Sequence, residues 1–281
     1  MKLFSINLSF AAILLLCGTE CLAQDVAGLQ VSTVTSFGGR DIIMHVPAQL
    51  PPRGSRALVV VLHGGGGSAS RIAGQTSESS LNMNVMANQN GFVVAYLNGT
   101  RVMRLIGVNS LAWNAGGGCC GQPAKNGVDD VAYVTDAVDF LASQYGISRE
   151  RIFGVGHSNG AMLLQRLICE RGFFAAGAAV SGTLNLQVTA CPAARGSRLL
   201  AIHGELDENV PIGGGTGKGP GGGPYNSEEY ARRIFTGSGA SYTLNIVPGA
   251  AHNVNGIDTV LQKIEGISLA QKIAIFFGLA G

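Results

Sequence analysis

The stretch RIFGVGHSNGAMLLQ, residues 151–165, decides how this chain is read. Its first half, RIFGVG (151–156), has the apolar character of a buried strand. Its second half runs into SNGAMLLQRLICE (158–170), which has the pattern of a helix. Between them stands Gly156-His157-Ser158-Asn159-Gly160, a G-x-S-x-G pentapeptide. The pentapeptide alone arises by chance, and the strand before it and the helix after it give it weight. Small residues on both sides let the chain turn sharply, which lifts Ser158 above the sheet with its hydroxyl exposed. The start of the following helix favours negative charge nearby. Ser158 is therefore read as a nucleophile.

Working outward, apolar runs recur at 41–48, 57–64, 91–99, 173–182, 198–204 and 242–249, each short enough for a strand. Several are apolar throughout, as expected where helices cover both faces of a parallel sheet. Between the runs lie helical patterns. Val131, Val134, Val138, Leu141 and Tyr145 form one stripe at steps of three and four. Asp129 and Asp130 precede that stripe and are read as capping residues at the positive end of the helix dipole. A further helix is expected over 268–280. The alternation predicts an α/β class protein with a mostly parallel central sheet and helices on both faces. Two segments break the rhythm. Residues 101–127 hold the only tryptophan, Trp113, and are read as a wall of the site; residues 212–226, nearly all Gly and Pro, are read as a mobile surface loop.

Near the start of the 281-residue chain, a single Lys2 precedes an apolar run from about Phe10 to Cys17, and a small Ala23 follows. This predicts a secretory signal peptide over 1–23 and a single catalytic domain over 24–281. A net charge of +2 is too small to argue for nucleic acid or an anionic membrane, and no later run resembles a membrane span. Four cysteines remain in the mature chain: Cys119, Cys120, Cys169 and Cys191. In an oxidising compartment they imply disulfides, with three connectivities open. Neighbours in a trans chain stand about 3.8 Å apart, so Cys119–Cys120 closes only in a strained ring and the weight falls on Cys169–Cys191. No spacing suggests a metal site.

A serine needs a base to take its proton. Of five histidines, His45 lies within a strand, His63 adjoins a glycine run and His157 is inside the turn itself. In a strand–Ser–helix arrangement of this kind the partners follow in the order Ser, acid, His, which leaves His203 and His252. Asp207 is the one aspartate between Ser158 and His252, just past the end of a strand, where open α/β sheets build their sites. His203 precedes it and is given a structural role, so His252 is the base and Asp207 the acid that orients it; Glu205 and Glu208 are the rival acids. The run VVVLHGGGGSAS (59–70) lacks the lysine of a phosphate-binding loop, and although Glu78 stands near the ribose position of a dinucleotide fingerprint, the intervening sequence does not fit one. Beside the Ser158 turn, the glycines have another use: their N–H groups, with that of Asn159, can hold a developing oxyanion. Gly65 is assigned as the loop donor, with Gly64 and Gly66 as alternatives.

Taken with VVVLHGGGGSA, NGFVVAYLNG, WNAGGGCCG, VDDVAYV and HGELDENVPIGGG, the pentapeptide gives the chain a wider likeness. It resembles the secreted α/β-hydrolase esterases that include feruloyl esterases of carbohydrate esterase family 1 and polyhydroxybutyrate depolymerase-like proteins. The resemblance implies an α/β-hydrolase fold, a Ser158–Asp207–His252 triad, no cofactor and no metal, and a small ester or an oligomeric polysaccharide or polyester as substrate. Two departures flank the site. Asn253-Val254-Asn255-Gly256 stands where the family often has Thr-Trp-Pro-Gly, and Ile212 where it has an aromatic; both bear on substrate preference. The absence of an attached polymer-binding module favours soluble esters or oligomers. Trp113 and His157 are the candidates for contact with substrate, Trp113 by stacking on an aromatic acid such as ferulate, although a lone tryptophan equally serves as core packing. A serine peptidase on the same triad, and a catalytically dead binding protein on the same scaffold, are the competing expectations. An ordinary imidazole would place the acid limb of activity near about pH 6–7.

Overall fold

The computed structural model describes residues 31–74, 78–102, 110–219, 221 and 223–281. The expected signal peptide lies outside them. Strands β1 (Val31–Phe37), β2 (Arg40–Val46), β3 (Arg56–Leu62), β4 (Val93–Leu97), β7 (Ile147–His157), β8 (Ala176–Val180), β9 (Arg198–Gly204) and β10 (Ser241–Val247) form one sheet in the order β1-β2-β4-β3-β7-β8-β9-β10. β2 runs antiparallel to both β1 and β4, and every other pairing is parallel. Two short strands, β5 (Thr100–Arg101) and β6 (Leu111–Ala112), pair apart from it.

The continuous apolar runs follow from burial on both sides. Along β3, Leu58, Val60 and Leu62 face one layer while Val59 and Val61 face the other. The first layer is closed by α4 (Asp130–Tyr145), α5 (Asn159–Arg171) and α6 (Glu228–Gly237), whose buried stripes include Val134, Leu164 and Phe235. The second is closed by α1 (Ala69–Ala73), α2 (Asn84–Asn90), α7 (Val254–Glu265) and α8 (Leu269–Phe277), through Ile72, Ala87, Ile257 and Ile273. A further short helix, α3 (Gly121–Lys125), lies in the long 101–127 segment.

The expected strands and the three expected helices are present. Helix α7, which starts directly after His252, extends the reading; its Val254, Ile257 and Leu261 spacing is the stripe that buries it. Of the two aspartates at the start of α4, Asp129 caps it, accepting from the Ala132 N–H at 2.9 Å. Asp130 does something else. It is buried, pairs with Arg40 at 2.6 Å and accepts the Asn114 N–H at 2.6 Å, so it ties the 101–127 segment to the start of β2. Burial raises its carboxyl above the usual range against the opposing pull of Asn114 and Arg40.

Cys169 of α5 is bonded to Cys191, and Cys119 to Cys120. Cys169 and Cys191 are 22 residues apart in sequence, and closing a loop of that size restricts the unfolded chain by roughly 3 kcal/mol. Replacing both with alanine is expected to lower the unfolding free energy by about that amount in urea titration, with no change in the far-ultraviolet circular dichroism of the folded protein.

Candidate active site

Ser158 sits between β7 and α5 with φ 51° and ψ −118°, a backbone that side chains other than glycine rarely adopt. The neighbours make room for it. A Cβ on Gly156 would run into the backbone of Gly160, and one on Gly160 into the carbonyls of Leu62 and His63 at the end of β3. The turn thus brings the first residues of α5 against the start of the glycine run.

The structure brings the three residues of the expected triad together. The Ser158 hydroxyl donates to Nε2 of His252 at 3.0 Å, and Nδ1 of His252 donates to Oδ2 of Asp207 at 2.7 Å. Asp207 is buried, and its other oxygen accepts the N–H groups of Asn209 and Val210, each at 2.9 Å. Burial opposes its ionisation, but the hydrogen bonds from His203 and His252 outweigh this and hold its carboxyl well below the usual range. Burial lowers His252 below the ordinary 6.5, with Asp207 opposing and the nearby His157 and His203 adding to the fall. The rival acids are engaged elsewhere: Glu205 accepts the Gly249 N–H and Glu208 pairs with Lys218.

The glycine run can be resolved amide by amide. Gly64 N–H donates to Glu78 Oε1, Gly66 N–H to the Leu111 carbonyl and Gly67 N–H to the Gly64 carbonyl. Gly65 N–H has no acceptor among the described residues, and Asn159 N–H, in the first turn of α5, has none within the helix. Both residues line the same cleft as Ser158. The cleft has a volume of about 580 Å³.

Trp113 corrects the expectation. It is fully buried and does not line the cleft, because both ends of the residue are committed to the scaffold. Its indole N–H donates to the His63 carbonyl at 2.9 Å, while its backbone N–H and carbonyl clamp the Asn159 side chain at 2.7 and 3.0 Å. Trp113 thus ties the end of β3 at His63 to the side chain of Asn159 at the start of α5. His157 does reach the cleft wall, but both ring nitrogens are occupied, Nδ1 by Glu78 at 2.8 Å and Nε2 by the His252 carbonyl at 3.1 Å; its contacts hold the site and not a substrate. His63 is buried, donating from Nδ1 to the Gly64 carbonyl and accepting the Gly99 N–H; burial lowers it to about 4.

The 101–127 segment does contribute a wall, through Val102, Ser110, Ala112, Cys120 and Gly121; of this segment, 103–109 lie outside the described residues. The Gly/Pro stretch is largely exposed, as expected of a surface loop, and its Gly219, Gly221 and Tyr225 also line the cleft. Gly215 and Tyr225 bridge their backbones, and that pairing folds the stretch back over Asn209. Glu78 was weighed only for a dinucleotide site. It is buried, bonded to Gly64 and His157, and its Oε2 has no partner among the described residues. Burial works against its charge, but the bond from His157 outweighs it and its carboxyl lies below the usual value. No local spacing marks it, since it reaches the site from a turn 14 residues beyond the glycine it binds. Among the described residues no group of three or more His, Cys, Asp or Glu side chains is placed to hold a metal ion.

Behind Asp207 lies His203, fully buried between two carboxylates: Nδ1 meets Glu228 at 2.7 Å, and Nε2 meets the Val210 carbonyl at 2.8 Å and Asp207 Oδ2 at 3.1 Å. Burial alone would lower it, but its bonds to Asp207 and Glu228 dominate and raise it to about 9. A histidine raised on folding stabilises the protein fully below the unfolded value of 6.5 and loses that contribution as pH climbs through about 9. The thermal unfolding midpoint is accordingly expected to fall between pH 6.5 and 9, and the fall to be smaller in His203→Gln, as read by calorimetry across that range.

Residues 77–194 match the prolyl oligopeptidase family, a segment that includes Ser158 and ends before Asp207 and His252. Feruloyl esterase B of Talaromyces stipitatus is 26% identical over 166 residues, covering 57% of this chain and 42% of that protein. Feruloyl esterase B of Talaromyces funiculosus is 27% identical over 162 residues, covering 56% and 41%. The match therefore spans about two fifths of the length of these relatives. Among solved structures, a carboxylesterase from Mesorhizobium loti superposes with a TM-score of 0.58 at 17% identity, covering 84% of this chain and 99% of that one. The acetyl xylan esterase from Aspergillus awamori gives 0.55 at 17% identity, covering 86% and 94%. At such identities the likeness speaks to the fold alone, and the fold is that of the α/β-hydrolases.

Proposed function

We propose that this α/β-hydrolase is a serine esterase that cleaves carboxylic esters through an acyl-enzyme. The observation that carries the reading is the unbroken series Ser158–His252–Asp207 at 3.0 and 2.7 Å, set beside the amides of Gly65 and Asn159, which have no acceptor among the described residues. Ser158 Oγ attacks the ester carbonyl as His252 takes its proton, and Asp207 fixes the imidazole tautomer and stabilises the imidazolium. The carbonyl oxygen, now negative, is held by the two amides; losing one such donor costs on the order of 10²–10³ in turnover. His252 then protonates the leaving alcohol, and water activated by the same imidazole releases the acid.

Feruloyl- or acetyl-type esters are the substrates that the relatives' names and the cleft favour, with short hydroxyalkanoate oligomers in the same chemical class. Among the described residues, Tyr225 and not Trp113 is the Tyr, Phe or Trp that lines the cleft, and it is the candidate for contact with an aromatic acyl group. On this reading the N-terminal segment directs secretion, and the two disulfides suit an oxidising compartment. The prolyl oligopeptidase match keeps a peptide bond in view as the rival substrate.

Ser158→Ala is expected to lower kcat on p-nitrophenyl acetate by roughly 10⁴-fold or more while leaving the unfolding midpoint in place. Undiminished hydrolysis in that variant, or failure of a fluorophosphonate probe to label Ser158 in the folded protein, defeats the reading. Hydrolysis of a proline-containing peptide in preference to methyl ferulate and acetylated xylan would assign the triad to peptidase work. Because His252 lies below the ordinary 6.5, the acid limb of kcat/KM is expected below that pH, so activity is retained when the medium is mildly acidic.

A further inference from the structure

The arrangement behind Asp207 goes beyond the triad. Oδ2 of Asp207 receives two imidazoles, His252 from the cleft side at 2.7 Å and His203 from the protein interior at 3.1 Å. Nε2 of His203 also faces the Val210 carbonyl, an atom that only accepts, so that nitrogen carries a proton. Its Nδ1 faces Glu228 Oε1, and the second oxygen of Glu228 accepts the hydroxyl of Tyr242. A ring with acceptors at both nitrogens is satisfied as an imidazolium. Glu228 is anchored in turn, as the first residue of α6, with its own N–H on the Ile212 carbonyl. The result is a buried line from α6 to the nucleophile: Glu228, His203, Asp207, His252, Ser158.

We propose that His203 is a positioning residue, kept positively charged by Glu228, that fixes the Asp207 carboxylate from behind and sets the acid limb of the activity. Without a positive charge there, Asp207 would act on His252 with its full negative charge, and His252 would keep its proton to higher pH and stay idle as a base in acid. With it, Asp207 still orients His252 while part of its field is cancelled. The titratable groups facing His203 are Asp207 and Glu228 directly, with Tyr242 behind Glu228 and His252 beyond Asp207. The upward shift of His203 and the downward shift of His252 have the signs that this arrangement requires. The kinetic consequence rests on the esterase reading; the charge on His203 does not.

The test is made on the folded protein, with His203→Gln and Glu228→Gln beside the wild type. In His203→Gln, the acid limb of kcat/KM on p-nitrophenyl acetate should move up by about 0.5–1 pH unit, so that the loss of activity is several-fold greater at pH 5 than at pH 8. A residue that merely holds structure would lower activity at every pH and leave the limb where it is, and that result overturns the proposal. The second measurement is nitrogen-15 NMR of the histidine rings. Wild-type His203 should show two protonated nitrogens at pH 7.5, and Glu228→Gln should lose one of them between about pH 6 and 8. A neutral His203 in the wild type, or one that keeps both protons at pH 8 in Glu228→Gln, overturns the assigned charge or its source. Should His203→Gln fail to fold, the NMR arm decides alone. Should Ser158 prove inert, the esterase reading falls while the NMR result on His203 stands or falls by itself.

Discussion

The turn at Ser158 is the constraint on which the rest of the site depends. A strand must become a helix within one residue, and that residue must hold a positive φ that its side chain disfavours. The strain is tolerated because the surroundings leave no other course. Gly156 and Gly160 remove the side chains that would block the approach, the end of β3 lies directly against the start of α5, and the Ser158 N–H is fixed on the Val180 carbonyl. Everything chemical is then placed relative to this turn. The strand ends of β9 and β10 lie two and three positions along the sheet from β7, and their loops deliver Asp207 and His252 to it.

The fold was legible because burial on both faces leaves a signature that needs no alignment: β3, β4 and β8 read as unbroken apolar runs. The three residues of the triad were legible for a related reason. A strand–Ser–helix junction fixes the chain order of its partners, and this chain offers a single aspartate and a histidine beyond it in that order. Gly65 was less determined. Only the structure shows that three of the four loop amides are spent on Glu78, Leu111 and Gly64.

What was not legible depends on direction in space. A tryptophan in a long loop can face a cleft or a core with the same sequence around it, and Trp113 faces the core because its indole N–H finds the His63 carbonyl there. A run of Gly and Pro says that the backbone is unusual without saying what lies beneath it; here it covers Asn209 and presents Tyr225. Glu78 and Glu228 were silent because each meets its histidine from far along the chain, 79 and 25 residues away, where no periodicity connects the partners. The two aspartates at the start of α4 show the same limit at short range, since neighbours in sequence took unrelated tasks, one capping the helix and one pairing with Arg40 inside the protein.

The clamp between Trp113 and Asn159 has a consequence for how such a protein can diversify. One wall of the cleft and the groups proposed to steady the reacting oxygen share the same hydrogen bonds, so drift in that wall is coupled to the chemistry itself. The glycine-rich stretch that also lines the cleft, between Ile212 and Tyr225, is joined to the site at one remove, through the Ile212 carbonyl on the Glu228 N–H and the packing of Gly217 and Gly219 on Asn209. New selectivity among acyl or alcohol groups is therefore most accessible to evolution through insertions and exchanges on that stretch, while the first wall stays as the fixed jaw.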